Sequence, residues 1–244
     1  MQNNNDHFFK NEKICQFSVQ FGCRIPIRRE FTDAEKMALK NGLVDLDSEV
    51  FQLFDEPLQK SSSCLFQVLR QLIIGPNTTT FPSFILSNDS FSFFLPIKVS
   101  GKEIKEHDNN RNKKICQWVF KVQEIIRNSQ CQRTGKIYEL VLGPFEEKDK
   151  TQVFQNLFSA DFNDIGELSL SFAKYHKENA DIYNVQTNVH YLQQNIADPF
   201  FITVRVDINN RNLSRSMEPS EIEKVWNFSD SIIDNHLKKV LLLQ

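Results

Sequence analysis

The chain has 244 residues, 40% of them hydrophobic and 25% charged, with a formal net charge of −2. That balance is ordinary for a globular protein of one large or two small domains and gives no global attraction toward nucleic acid or a membrane surface. Glycine is scarce at 7 residues while phenylalanine reaches 22, which favours packed layers and disfavours the glycine-rich loops that cradle phosphates.

Residues 1–12 are polar and Asn-rich and read as a flexible arm; no signal peptide is visible there. Ile14 to Ile25 alternates, with Cys15, Phe17, Val19, Phe21, Cys23 and Ile25 on one face, and predicts a strand ended by Pro26. Thr32 or Asp33 caps a predicted helix over Ala34–Lys40, with Asn41-Gly42 as its stop. Val44 to Leu58 reads as partly helical, and Cys64 to Ile74 as a short helix stopped by Gly75-Pro76. Thr79–Ser87 and Ser90–Val99 form a predicted hairpin around Asn88-Asp89. Residues 100–113 read as a charged loop ahead of a helix with Ile115, Trp118, Val119, Val122, Ile125 and Ile126 on one stripe.

A strand over Lys136–Leu142, ended by Gly143-Pro144, opens the second part of the chain. A short amphipathic helix with Val153, Phe154, Leu157 and Phe158 follows. Three strands are then expected, at Glu167–Tyr175, Ile182–Leu192 and Phe200–Asn209, the middle one turning Tyr183, Val185, Thr187, Val189 and Tyr191 inward. The closing strand and the helix after it are the clearest structural signal in the chain. Phe200, Ile202, Val204, Val206 and Ile208 alternate with polar residues, and Pro219 with a Ser220/Glu223 capping box starts a long amphipathic helix.

Strands close in sequence pair antiparallel, so the expected class is α+β: one or two antiparallel sheets with helices packed on one face. Residues 13–130 and 131–244 read as two similar β-α-β-β-(β)-α halves, two units or one continuous domain. The element order, with Leu86-Ser87-Asn88-Asp89-Ser90-Phe91-Ser92-Phe93-Phe94 on a hairpin ahead of a helix and Val204-Arg205-Val206-Asp207-Ile208-Asn209 before the last one, resembles a sporadically distributed family of uncharacterised bacterial proteins of similar length. The resemblance spans roughly residues 14–243 and implies a bacterial cytoplasmic α+β protein; it brings no activity and no functional residue.

Motifs that carry chemistry are absent from the sequence. No G-x-S-x-G, Walker A or G-x-G-x-x-G pattern occurs, and the five histidines form no metal-binding spacing. His176 and His190 could approach across neighbouring strands, yet a third ligand is missing. The segment from Asp207 to Glu218 imitates a calcium loop, but Arg211 and Asn212 occupy positions that need an oxygen ligand and a glycine. No metal or cofactor is expected. Five cysteines without a C-x-x-C motif read as reduced core thiols in the cytoplasm. Arg24, Arg28 and Arg29 make a small basic cluster that nearby acids dilute, so a nucleic-acid footprint is disfavoured.

The remaining candidate is a binding face. Asn184, Gln186, Asn188 and His190 on one strand and Thr203, Arg205 and Asp207 on the next would form a hydrogen-bonding surface if the two strands pair. The sequence therefore points to a non-enzymatic cytoplasmic protein that binds a protein partner or itself, without a membrane anchor. An enzyme with a site assembled from distant residues and a nucleic-acid-binding accessory protein are the alternatives.

Overall fold

The computed structural model describes residues 14–26, 29, 31–46, 64–74, 77–87, 90–97, 103–126, 130–149, 167–178, 181–192, 198–211 and 216–241. In chain order its elements are β1 (Ile14–Arg24), α1 (Asp33–Leu46), β2 (Cys64–Ile74), β3 (Asn77–Ser87), β4 (Ser90–Ile97), α2 (Glu103–Ile125), β5 (Arg133–Phe145), β6 (Glu167–Glu178), β7 (Asp181–Leu192), β8 (Phe200–Asn210) and α3 (Pro219–Leu241). A single 3-10 turn, Glu147–Asp149, follows β5. The protein is α+β. All eight strands join one sheet in the order β2-β3-β4-β1-β5-β8-β7-β6, and every pairing is antiparallel. Read outward from the central β1–β5 pair, the order is β4-β3-β2 on one side and β8-β7-β6 on the other.

Alternation along the strands separates two faces. Phe17, Val19, Phe21 and Cys23 on β1, Tyr138, Leu140 and Leu142 on β5, Tyr183, Val185, Val189 and Tyr191 on β7, and the even-numbered residues from Phe200 to Ile208 on β8 are buried. The helices lie on that face. Trp226 of α3 meets Phe21 edge-on at 5.1 Å, and Trp118 of α2 meets Phe93 of β4 at 4.9 Å. Phe228 stacks on Tyr183 at 3.9 Å. Aromatic pairs of this geometry add to the burial of their area, and they use the phenylalanine-rich composition to join sheet and helices.

Several expectations are corrected. Cys64–Ile74 is a strand: it pairs along its length with β3, and Gly75-Pro76 separates two strands that pair as a hairpin. A short apolar run cannot be assigned from periodicity alone. Residues 103–113 belong to α2; Glu, Lys and Arg are good helix formers, so a charged run is no evidence of a loop. α1 continues through Asn41-Gly42 to Leu46. Gly42 is buried, and a Cβ there would come within 2.8 Å of the Lys121 side chain on α2, so this glycine serves close helix packing. β5 runs past Leu142 through a cis Gly143-Pro144 bond and an irregularity to Phe145. The amphipathic segment with Val153, Phe154, Leu157 and Phe158, the arm at 1–12 and residues 47–58 lie outside the described residues.

The helix starts are specific. Thr32 caps α1: its Oγ1 accepts from the Glu35 N–H at 3.2 Å, and the Thr32 N–H donates to Glu35 Oε2 at 2.9 Å. That reciprocal pair is a capping box. In α3 one half of such a box forms, two residues before the expected Ser220/Glu223 pair. The Glu218 N–H donates to Glu221 Oε2 at 2.9 Å, and Pro219 fills the first helical position.

Two outcomes follow. Arg29 forks onto Glu35, and that hydrogen bond, with the Thr32 N–H, lowers the Glu35 carboxyl from 4.5 to about 2. A carboxylate with a depressed folded pKa contributes stability above its unfolded pKa and loses it as pH falls. Stability should therefore decline between about pH 4.5 and 2, modestly because the pair is solvent-screened. Glu35→Gln should flatten that part of the acid limb in pH-dependent urea melts, and an unchanged limb would refute this assignment. Separately, a Cβ at Gly135 would lie 2.5 Å from the Ile208 carbonyl oxygen and 2.9 Å from Asn209 Cα, whereas one at Gly22 would meet nothing within 4 Å. Gly135→Ala should cost about 1–3 kcal/mol in chemical denaturation, as overpacking does, and Gly22→Ala should not.

Candidate functional site

The expected binding face is brought together by the β7–β8 pairing. Asn184 lies opposite Asn209, Gln186 opposite Asp207, Asn188 opposite Arg205, and His190 opposite Thr203. These residues project from the sheet face opposite the helices, since their neighbours in each strand are the buried ones. Arg205 and His190 are exposed, and Asn184, Gln186, Asn188, Thr203 and Asp207 are half-buried. Asn209, on the same polar face but outside the seven expected residues, joins the row: its Nδ2 donates to Asp207 Oδ1 at 2.8 Å and its Oδ1 accepts from Arg133 Nε and Nη2 at 3.2 and 2.7 Å. The polar surface is thus partly pre-ordered by its own hydrogen bonds.

Apolar side chains flank it. Phe201 at one end of the β8 row and Ile182 at the opposite end of the β7 row are both exposed. On the neighbouring edge strand β6, Tyr175 lies opposite Asn184 and is 58% exposed. The Arg211 guanidinium sits 4.2 Å from the Tyr175 ring centre, a cation–π contact. Between Tyr175 and Ser169 the same face of β6 carries only Ala173 and Ser171, so the polar rows are not overhung from that side. β6 is exposed along nearly its whole length and pairs only with β7 among the described residues.

The two histidines do not meet. His176 lies opposite Tyr183 and His190 opposite Ser169, seven residues apart along the strands and on opposite faces. His176 instead packs 5.1 Å from the Phe228 ring, and His236 shares a 2.7 Å hydrogen bond with Thr187 Oγ1. Among the described residues no group of three or more His, Cys, Asp or Glu is placed to share a metal ion. Cys23, Cys116 and Cys131 are buried free thiols. Burial pushes Cys116 up to about 12, and burial with the neighbouring Cys131 sulfur holds Cys23 well above its usual value. Neither supplies a thiolate nucleophile near neutral pH. A shallow depression of about 390 Å³ is lined by Glu178, Ser220, Glu223, Lys224, Asn227, Phe228 and Ser231. It lies between α3 and the end of β6, on the helix side of the sheet and so away from the polar rows. No helix among the described residues is long and apolar enough to cross a membrane.

A second constellation, unforeseen from sequence, sits between sheet and helices. The Lys136 side chain is 1% exposed, and its Nζ donates to both oxygens of Asp230 on α3, at 2.7 and 2.6 Å. Tyr138 Oη donates to Asp230 Oδ1 at 2.6 Å, and Asn112 Nδ2 of α2 lies 2.7 Å from both Asp230 Oδ2 and Asn227 Oδ1. Lys136 Nζ also stands 4.6 Å from the Phe21 ring centre. The signal was present: Lys136 is in phase with buried Tyr138, Leu140 and Leu142, and Asp230 with Trp226, Ile233 and Leu237. Four donor contacts satisfy the one carboxylate and clamp β5, α2 and α3 together, while Asn112 Oδ1 is buried without a hydrogen-bond partner among the described residues.

Comparison with known protein families, with curated proteins and with solved structures finds no match for this chain.

Breaking the clamp from one side should be costly. Asp230→Ala leaves a buried ammonium without its counter-ion and should lower the unfolding free energy by about 3–5 kcal/mol in denaturant titrations. Replacing both partners, Lys136→Met with Asp230→Leu, should recover most of that loss. A double variant as unstable as the single one would show that the pair is not the source.

Proposed function

We propose that the protein is a non-enzymatic cytoplasmic binding protein whose partner is another protein, and that the partner docks on the sheet face of β7 and β8. The observation that carries this reading is the continuous polar array Asn184, Gln186, Asn188 and His190 against Asn209, Asp207, Arg205 and Thr203, flanked by exposed Phe201, Ile182 and Tyr175. Amide side chains offer donors and acceptors together. Aromatic residues and arginine are the types enriched where binding energy concentrates. The buried thiols with raised pKa values fit a reducing compartment.

The test compares three forms of the full chain purified from its native host by affinity tag. Phe201→Asp with Arg205→Glu alters the proposed face, and Met37→Glu alters an exposed residue of α1 on the other side of the sheet. A stoichiometric protein retained by the wild type and by Met37→Glu, and lost at least about tenfold from the double variant, is expected for a face carrying hot-spot residues. A partner retained equally by all three, or no partner in any, would refute the proposal.

A further inference from the structure

The edge strand β6 is covered by very little. Apart from half-buried Leu168, each of its residues is exposed, and among the described residues it pairs with β7 alone. Its outer row of backbone N–H and C=O groups is open to another strand. On the helix side, Leu170 and Phe172 are each 37% exposed although Val189 and Thr187 beside them on β7 are buried. These two side chains carry the apolar row of the core past the point where its cover ends.

The sequence of this strand is complementary to itself. Two copies related by a two-fold axis pair their edges antiparallel when the axis stands perpendicular to the sheet, which joins each face of one copy to the same face of the other. Opposed residues share a face, so the axis passes through a residue position. With the axis at Phe172, residues 167–177 pair, nearly the full strand. Glu167 then meets Lys177 of the second copy, and Lys177 meets its Glu167, giving an opposite-charge pair at each end. Phe172 meets its own copy at the centre, with Leu170 diagonal to it on the same apolar face, and small Ser171 and Ala173 oppose each other on the polar face. An axis at Lys174 would set two lysines against each other, and one at Leu170, Ser171 or Ala173 makes no Glu–Lys pair. Edge lysines discourage unselective pairing; within β6, Lys177 is answered by an acid in this register alone.

We infer that the protein associates with a second copy of itself by antiparallel pairing of the two β6 edges about a two-fold axis at Phe172. Backbone pairing between the edges supplies the affinity, and the charge pairs with the central phenylalanines set the register. The helix layers do not collide. α3 packs over β5 and β8, and the two β8 strands would stand five strand steps apart, roughly 24 Å and about twice the width of a helix. A closed two-fold pair occupies both β6 edges and stops at two copies. The dimer does not depend on the partner proposed above: it uses the edge of β6 and leaves the polar rows of β7 and β8 uncovered in both copies.

The test measures the purified full chain by sedimentation velocity and by light scattering after size exclusion, over a dilution series. A dimer is expected. Lys177→Glu places like charges opposite each other twice and should weaken the dimer about tenfold. Glu167→Lys combined with Lys177→Glu restores both opposite-charge pairs in swapped order and should recover it. Both positions are exposed, so the unfolding midpoint should hold in each variant. A monomer at every concentration, an open series of larger assemblies, a dimer indifferent to Lys177→Glu, or a double variant as weak as the single one would each overturn the proposal. Should Lys177→Glu fail to fold, Phe172→Glu, which sets two carboxylates at the axis, decides by the same readout: loss of the dimer is expected, and an unchanged dimer overturns the assignment.

Discussion

A lysine ammonium lies in the central row of the core. Phe21 and Ile208 flank Lys136 on the neighbouring strands, and both are buried. Taking an ammonium out of water costs several kcal/mol after relaxation, and the cost is recovered only if the counter-ion and the remaining donors are well placed. Asp230 meets that requirement from α3, Tyr138 supplies a further donor, and Asn112 ties α2 into the same carboxylate. An apolar pair of the same volume would pack with similar or greater stability. The ion pair differs in being intolerant of misplacement. A one-residue slip of β5 would turn Lys136 to the opposite face of the sheet, and a small rotation of α3 would leave Asp230 without its donors. The position of both long helices over the sheet is thus tied to one carboxylate.

That placement divides the sheet into regions with different surroundings. The helix layer covers the centre: α3 packs over β5 and β8, and α2 lies against α1 and α3. Toward the β6 edge the cover thins. On the helix side of β6, Leu170 and Phe172 lie opposite buried Val189 and Thr187, yet each remains 37% exposed. The opposite face of the sheet carries no described helix, and on β7 and β8 its side chains are amides, hydroxyls and charges flanked by exposed Phe201, Ile182 and Tyr175. A strand edge with unpaired backbone groups invites pairing with another chain, and its lysines, Lys174 and Lys177, are the residue type that limits such pairing. The polar rows and the edge belong to one continuous surface, so a partner seated on β7 and β8 would also reach β6.

How much of this was legible in the sequence depends on what each signal measures. Alternation in β1, β7 and β8 reports burial on one face, and there inward residues such as Tyr183, Thr187 and Val204 were placed correctly. The Cys64–Ile74 run has apolar residues at both spacings, so only its pairing with β3 settles it as a strand. The charged start of α2 was missed because charge reports exposure and not conformation. Gly42 was read as a helix stop because glycine in sequence does not reveal whether it serves a turn or a close approach. The link between Asn209 and Arg133 beside the proposed face was absent from the sequence reading for a different reason. Their hydrogen bond joins residues 76 apart, and no local pattern encodes a partner at that distance. The buried Lys136–Asp230 pair is intermediate. Each member sat in phase with an apolar face, and the conflict between residue type and position was itself the signal.

Gly22 and Gly135 show why function must be sought among residues that the fold does not need. They are the same residue type, face each other across one strand pair, and belong to a chain with only 7 glycines. One is compelled by the backbone of β8 passing beneath it; the other is compelled by nothing within 4 Å. The same distinction separates the cations. Lys136 is buried and answered by Asp230, whereas Arg24 and Arg133 stand opposite each other without a carboxylate among the described residues. A fold selected for stability alone would remove a like-charge pair and fill an open strand position, since either change is a single substitution of the kind that commonly raises stability. Gly22 and the Arg24–Arg133 pair are therefore the positions of the central strands that packing among the described residues does not account for.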